Sequence, residues 1–411
     1  MSDFDTFLQN YVELAVRVGV NVQPGQTLIL SAPISAAEVV RLTVEKAYEA
    51  GAKHVYVEWA DDIVARKKYE LAPDDAFDEA PAWLTAKLQE QVGEGAAFLH
   101  YLSANPDLFE GIDPDRIARA TKALRARREP YYRAVMADKV SWSILSIPNE
   151  QWAAKVFPNV PESERLTKLW DAVFQATRAD AADPVAAWNE HLSTLKTRAD
   201  CLNEKRYKAL HYRAPGTDLT VELADGHLWV SGESFNEQGS MFVANMPTEE
   251  VFTAPKKTGV NGTVASTYPL NYGGSVIEGL ALTFKDGLIV DFKADKGYET
   301  LKRMLERDEG SKYLGEVALV PHRSPISDTG LVFYETLFDE NASNHLAIGN
   351  AYAFCLEGGK SMSKEELETN GLNQSMTHVD FMIGSPEMDI DGITADGARE
   401  PIFRGGNWAE A

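Results

Sequence analysis

The stretch Thr27-Leu-Ile-Leu-Ser31, followed by Ser35-Ala-Ala-Glu38 and then by Val39-Val-Arg-Leu-Thr-Val-Glu-Lys-Ala-Tyr48, decides the class of this fold. The first part is a short apolar run behind the turn-forming pair Pro24-Gly25. Ser35 with Glu38 three residues later has the spacing of a capping box at a helix start. Apolar residues then recur at helical spacing up to Tyr48, and Gly51 stops the helix. His54-Val-Tyr-Val-Glu-Trp59 reads as the next strand. Strand, helix, strand in this order is a crossover, which requires parallel pairing. Ala96-Ala-Phe-Leu-His-Tyr-Leu102 and Val140-Ser-Trp-Ser-Ile-Leu-Ser146 continue the alternation. An N-terminal doubly wound α/β domain is therefore expected over residues 1–205. The first strand leads into Ser31-Ala-Pro-Ile-Ser35, with no Gly-x-Gly-x-x-Gly and no Gly-Lys-Ser/Thr. The backbone cradle for a nucleotide phosphate is missing.

Working outward, residues from about 161 to 207 look helical, with Trp170, Val173, Phe174, Trp188 and Leu192 as core positions. The texture changes from His211. Leu219-Thr-Val-Glu-Leu223, His227-Leu-Trp-Val-Ser231 and Ser275-Val-Ile-Glu-Gly279 are short strands broken by turn residues. Ala281-Leu-Thr-Phe-Lys285 and Leu288-Ile-Val-Asp-Phe-Lys293 flank Asp286-Gly287, a hairpin signal. Lys296 to Glu309 reads as a polar-faced helix. Residues 206–411 are expected to form an α+β domain with mainly antiparallel sheets.

A chain of 411 residues is long for one core, which agrees with two domains. The net charge of −22 opposes binding to nucleic acid, which demands cationic side chains against phosphate, and opposes anionic membrane surfaces. It serves solubility, and it also attracts a cationic substrate group such as a free amino terminus. The two cysteines, Cys201 and Cys355, lie far apart and form no Cys-x-x-Cys pair. Together with an acidic start and no apolar run near the ~18 residues that span a bilayer, they point to a cytoplasmic protein.

Every candidate for site chemistry falls in the second half. Asn245-Met-Pro-Thr-Glu-Glu-Val-Phe-Thr-Ala-Pro255 sets Glu249 beside Glu250 in a β-prone frame. Extended backbone turns successive side chains to opposite sides, so one of the two can bind a ligand while the other points away. Glu316 sits in the apolar run Tyr313-Leu-Gly-Glu-Val-Ala-Leu-Val-Pro321, where an uncompensated acid is costly to bury. Asp339-Glu340 precedes Asn341-Ala-Ser-Asn-His345. The run Ser343 to Cys355 reads as a helix, with Ser343 as its cap. His345 and Tyr352 then share a face, with Gly349 between them leaving room for a ligand. His378-Val379-Asp380 puts an imidazole and a carboxylate on one face of a strand. The remaining histidines, His191 among them, read as structural. Carboxylate oxygens and imidazole nitrogens bind hard and borderline divalent metals. The set is too large for one tetrahedral zinc and suits two ions sharing a bridging carboxylate, an arrangement for hydrolysis. No His-Glu-x-x-His helix and no Gly-x-Ser-x-Gly elbow is present.

These segments, with the tail Pro401-Ile-Phe-Arg404, resemble the M29 family of metallo-aminopeptidases over the whole chain. The resemblance implies metal ligation by Glu250, Glu316, His345, His378 and Asp380, with Glu340 as a further member and Glu316 as the bridge. It also brings Tyr352 near the site and suggests a homodimer. The expected activity is hydrolysis of the N-terminal residue from peptides with a free amino terminus. Two divalent ions per chain would serve it, with zinc the default and cobalt, manganese and magnesium also admitted. Tyr352 is the expected oxyanion donor and Glu249 the expected general base. A two-metal phosphoesterase and a non-catalytic metal- or peptide-binding protein are the rival readings. A phosphoesterase calls for Lys or Arg beside the ligands, and Lys256-Lys257 and Arg323 are the candidates near in sequence.

Overall fold

A computed structural model describes residues 3–105, 107–272 and 275–409. The chain divides into two compact units. One comprises Met1–Trp188 with Glu233–Met246, and the other Asn189–Gly232 with Pro247–Ala411.

The first unit begins with α1 (Asp3–Leu14), β1 (Thr27–Pro33), α2 (Ala37–Glu49) and β2 (His54–Ala60). It continues through α3 (Asp62–Leu71), α4 (Ala82–Gly93), β3 (Ala97–Leu102), α5 (Pro114–Met136), β4 (Trp142–Ser146), α6 (Glu150–Val156) and α7 (Glu162–Ala176). The four strands form one parallel sheet in the order β2-β1-β3-β4. Because β1 lies between β2 and β3, successive crossovers depart in opposite directions, which defines a doubly wound sheet. Its two faces are covered by different helices. Ile29 and Phe98, cross-strand partners, pack with Tyr131 and Val135 of α5. On the other face, the Tyr101 hydroxyl lies 2.9 Å from Thr43 Oγ1 of α2. The continuous apolar runs of β1 and β3 follow from this double burial.

One local expectation fails here. Ser35 and Glu38 form no capping box: α2 starts behind a 3-10 turn, Ile34–Ala36, and Ala36 is its N-cap without a side-chain bond. Pro33 directs the chain into that tight turn, so Ser35 falls one residue short of the cap. The helix ends as expected, with Gly51 N–H donating to Tyr48 O and Ala52 N–H to Ala47 O.

Helix α8 spans Pro184–Lys205. Trp170, Val173, Phe174, Trp188 and Leu192 are all buried. The chain then forms β5 (Ala209–Ala214) and β6 (Thr217–Leu223), contributes the hairpin β7 (Glu233–Phe235) and β8 (Met241–Val243) to the first unit, and returns. His227–Ser231 is not a strand; His227 and Val230 make only isolated bridges to Leu356 and Phe252. The second unit adds β9 (Val251–Thr253), β10 (Pro255–Ala265), β11 (Leu270–Tyr272), β12 (Ser275–Ile277), β13 (Ala281–Lys285) and β14 (Leu288–Lys293). Then come α9 (Tyr298–Leu305), β15 (Leu314–Leu319), α10 (Thr336–Glu340), β16 (His345–Gly349), α11 (Lys364–Thr369), β17 (His378–Met382), β18 (Asp389–Ile393), β19 (Arg399–Arg404) and β20 (Asn407–Trp408). Asp286 and Gly287 both have positive φ, 49° and 81°, in a two-residue turn between β13 and β14.

An eight-stranded antiparallel sheet runs β14-β13-β10-β6-β5-β18-β19-β20, and a four-stranded antiparallel sheet runs β17-β16-β15-β9. The smaller sheet carries most of the candidate site residues. The run from Ser343 to Cys355 is a strand, an irregular segment and a 3-10 turn, not a helix. Its alanines favour a helix, but alternation wins: Leu346 and Ile348 point into the core while His345, Ala347 and Gly349 occupy the opposite face. Ser343 is accordingly not a helix cap.

Candidate metal centre

The register of the small sheet explains how scattered residues meet. Glu316 pairs with Ala347, and Ala347 pairs with Asp380; Gly349 pairs with His378 and Ala318 with His345. Cross-strand partners share a face, so Glu316, His345, His378 and Asp380 all project from one side. Phe252 pairs with Ala318, which extends the same parity to Glu250 at the entrance to β9. The opposite face is apolar but for Thr253, the partner of Val317, whose hydroxyl donates to Leu228 O. Val251, Val317, Leu319, Leu346, Ile348, Val379 and Phe381 join the core of the second unit. The side chain between Glu316 and Asp380 is Ala347, the smallest that keeps a Cβ.

His345 Nε2 lies 3.0 Å from Glu250 Oε2 and 3.6 Å from Glu316 Oε1. His378 Nε2 lies 3.7 Å from Glu316 Oε2 and 3.5 Å from Asp380 Oδ1. Glu250, Glu316 and His345 form one group with donor atoms within 4.8 Å of one another, and Glu316, His378 and Asp380 form a second. Both rings are oriented through their other nitrogen: His345 Nδ1 sits 3.0 Å from Ser343 O and His378 Nδ1 2.8 Å from Asn350 O. With Nδ1–H donating to a carbonyl, each ring turns Nε2 toward the carboxylates, where the neutral ring would offer a lone pair to a cation. Asp380 Oδ1 is shielded from solvent without a hydrogen-bond partner among the described residues. A donor set of carboxylates and imidazoles with an orphaned buried oxygen fits divalent cations.

Electrostatics give the same reading. Burial, with the nearby charge of Asp380, pushes the Glu316 carboxyl up to about 7 despite His345. Burial and the charges of Asp380 and Glu250 raise Glu340 well above the carboxylate range. Burial opposes charge on the histidines, but Asp380 and Glu316 outweigh it and lift His378 to about 9. Hydrogen bonds to Glu250 and Glu316 likewise raise His345. For Asp380, burial works upward and is overcome by His378 and His345, which hold the carboxyl low. Crowded buried carboxylates that repel one another are what a cation neutralises.

Other expected residues fall as follows. Glu340 ends α10 and feels Asp380, Glu250, His345 and Glu316 while standing outside both compact groups. Tyr352 shares no helix face with His345. It reaches the site from the irregular segment, its ring centroid 4.7 Å from that of His378, stacked at 5.1 Å on Phe354. Gly349 leaves no room for a ligand. Its φ is +109°, and a Cβ there would stand 2.1 Å from Thr377 O, so the space belongs to neighbouring backbone. Glu249 and Glu250 do diverge. Glu249 turns to His191, with Oε2 3.6 Å from Nε2, and the same Nε2 is 2.7 Å from Thr248 O. Sequence spacing did not reveal His191 as a neighbour of this segment, because it comes from α8. The basic side chains are engaged elsewhere: Lys256 with Glu222, Lys257 over the Tyr313 ring, and Arg323 with Asp328.

The family description "Thermophilic metalloprotease (M29)" matches residues 4–408. Aminopeptidase AmpS of Bacillus subtilis is 56% identical over 409 residues, covering 100% of both chains. Aminopeptidase 2 of Geobacillus stearothermophilus is 54% identical over 409 residues, covering 100% of this chain and 99% of its own. The solved structure of wild-type AmpT from Thermus thermophilus superposes with a TM-score of 0.94 at 45% identity, covering 99% of this chain and 100% of that one. Fold and sequence thus agree from end to end, and the chain belongs to the M29 family of metalloproteases.

Proposed function

We propose that this chain is a metal-dependent aminopeptidase that removes the N-terminal residue from peptides at a dinuclear centre. The observation that carries the reading is Glu316, which stands in both donor groups, so that two cations held there would share one carboxylate. Glu250 and His345 would hold one ion with it; His378 and Asp380 would hold the other. Divalent ions bound there supply Lewis acidity toward a scissile carbonyl and acidify water toward neutral pH.

The rest of the chemistry belongs to the chain. The two imidazoles, held at Nδ1, present Nε2 in a fixed direction. Tyr352 keeps its phenolic proton, because burial and the surrounding carboxylates oppose its loss. Its hydroxyl is therefore a donor to charge developing on the carbonyl oxygen. The acidic character of the cluster favours a substrate with a free amine over one with an anionic group. Of the two carboxylates outside the compact groups, Glu340 feels the cluster directly whereas Glu249 faces His191. Glu340 is the better suited to serve as an additional ligand or proton acceptor, and Glu249 as the base is the weaker alternative.

The phosphoesterase reading loses its support with the engagement of Lys256, Lys257 and Arg323 elsewhere. Zinc as resident ion, a homodimer and a cytoplasmic location form part of the proposal, resting on donor chemistry, family resemblance and composition. No helix among the described residues is long and apolar enough to cross a membrane. The test is hydrolysis of amino-acid anilides and of phosphate esters, each with and without chelator. Chelator-sensitive cleavage of anilides alone is expected; cleavage of phosphate esters alone, or of neither substrate, overturns the proposal.

A further inference from the structure

We infer that Asn341, Ser343 and Asn344 act as positioning residues, bracing the backbone of every segment that carries a candidate ligand. The inference rests on the metal-centre reading above. The three side chains are 0%, 2% and 1% exposed, in a run whose only apolar member is Ala342. Each accepts a hydrogen bond from a different strand end. Asn341 Oδ1 takes the N–H of Glu249, at 2.7 Å, just before β9 and beside Glu250. Asn344 Oδ1 takes the N–H of Val320, at 2.9 Å, just past β15 and its Glu316. Ser343 Oγ takes the N–H of Gly384, at 2.8 Å, sharing it with Asn344 O at 3.0 Å, just past β17 with His378 and Asp380.

Two more bonds complete the pattern. Ser343 O holds His345 Nδ1 at 3.0 Å. Asn341 Nδ2 donates to Leu337 O at 2.9 Å, which ties α10 and Glu340 to the same run. All six candidate ligands thus lie on segments anchored to three residues of the run 341–344. Strand ends are where ladder hydrogen bonds stop and backbone N–H groups need other acceptors. Satisfying them from one rigid source has an added effect: the ligand-bearing strands cannot shift independently. Carboxylates crowded as closely as these would otherwise be driven apart by mutual repulsion. Gly384 fits the same scheme, since a Cβ there would stand 2.6 Å from Ser343 Oγ.

A merely structural role and a positioning role separate in metal binding. The full-length wild type and the variants Asn341→Leu, Asn344→Leu and Ser343→Ala are titrated with cobalt(II) against a competing chelator. The visible absorption of bound cobalt(II) reports ligand geometry, and thermal melting of the metal-free chains reports stability. Asn236→Leu is the control, because Asn236, also buried, accepts the N–H groups of Gln238 and Ser240 and donates to Ser141 Oγ, all within the first unit. Loss of an outer partner typically weakens metal binding about 10–100-fold. That loss, with a changed cobalt spectrum, is expected for the three variants. The control is expected to lose stability alone. Folded Asn341→Leu and Asn344→Leu chains with wild-type affinity and spectrum overturn the inference. Should both fail to fold, Ser343→Ala, which removes one hydroxyl, decides on the same two readouts. A wild type that takes up no cobalt(II) overturns the metal-centre reading, and this inference with it.

Discussion

His100 and His378 are the same side chain in two sheets of one molecule, and their surroundings shift them in opposite directions. His100 lies on β3 of the parallel sheet, 3.1 Å from the Tyr131 hydroxyl, and burial depresses it to about 4. His378 lies on β17 of the small antiparallel sheet, and there Asp380 and Glu316 outweigh burial and raise it to about 9. Burial alone therefore does not set the sign; neighbouring carboxylates do. The parallel sheet, covered by helices on both faces, tolerates an imidazole only as a neutral group. The antiparallel sheet places one whole face in the apolar core and gathers charge on the other. The first is built for stability, and the second concentrates a charge problem that cations resolve.

Removal of metal is the most severe perturbation of the small sheet. Removing metal with a chelator is expected to abolish anilide cleavage, and zinc, cobalt or manganese to restore it. Full activity in a preparation shown by elemental analysis to be metal-free would end the two-ion reading.

Glu316→Gln is next in size. An amide cannot bring the same charge to two positions, so activity should fall to background together with metal content. Retention of two ions and of turnover would mean that Glu316 is not shared.

Tyr352→Phe sharpens the picture by separating chemistry from assembly. Losing one donor to a developing oxyanion typically costs about 10²–10³ in kcat. Metal content and melting temperature should stay close to wild type. Unchanged turnover would reduce Tyr352 to part of the aromatic wall with Phe252 and Phe354.

The smallest effect lies in the other sheet. The folded value of His100, about 4, is below its ordinary 6.5. Between those values the unfolded chain binds the extra proton, so the stabilisation from a neutral His100 is complete above about pH 6.5 and is lost as pH falls toward 4. The loss is at most about 3 kcal/mol by linkage. Urea unfolding of wild type and His100→Gln, each at pH 7 and pH 4.5, isolates it as a double difference. Equal pH dependence in the two chains would show that His100 is not held neutral.

The parallel sheet was legible because double burial writes itself as continuous apolar runs, as in Ala97-Phe-Leu. The candidate ligands were legible one by one, since acids and histidines in apolar frames are conspicuous at Glu316 and at His378-Val379-Asp380. What joins them was harder. Alanine-rich Ser343–Cys355 has a helical composition, and only the alternation of His345, Ala347 and Gly349 with Leu346 and Ile348 reports the strand. Asn341, Ser343 and Asn344 resemble ordinary turn residues until the three N–H groups that they accept are located. His191 meets Glu249 across distant sequence, which no local spacing encodes.

Ala347 carries a consequence of its own. It contributes no donor atom, yet it stands in the row between Glu316 and Asp380 and is fully buried. On the proposed two-ion reading, a branched side chain there would crowd the space between the Glu316 and Asp380 carboxylates while leaving every candidate ligand in the sequence. On that reading, a descendant of this sequence carrying Ala347→Val would keep every candidate metal-binding residue and still bind metal poorly. Competence of the centre is encoded as much by a missing pair of methyl groups as by the acids and histidines around it.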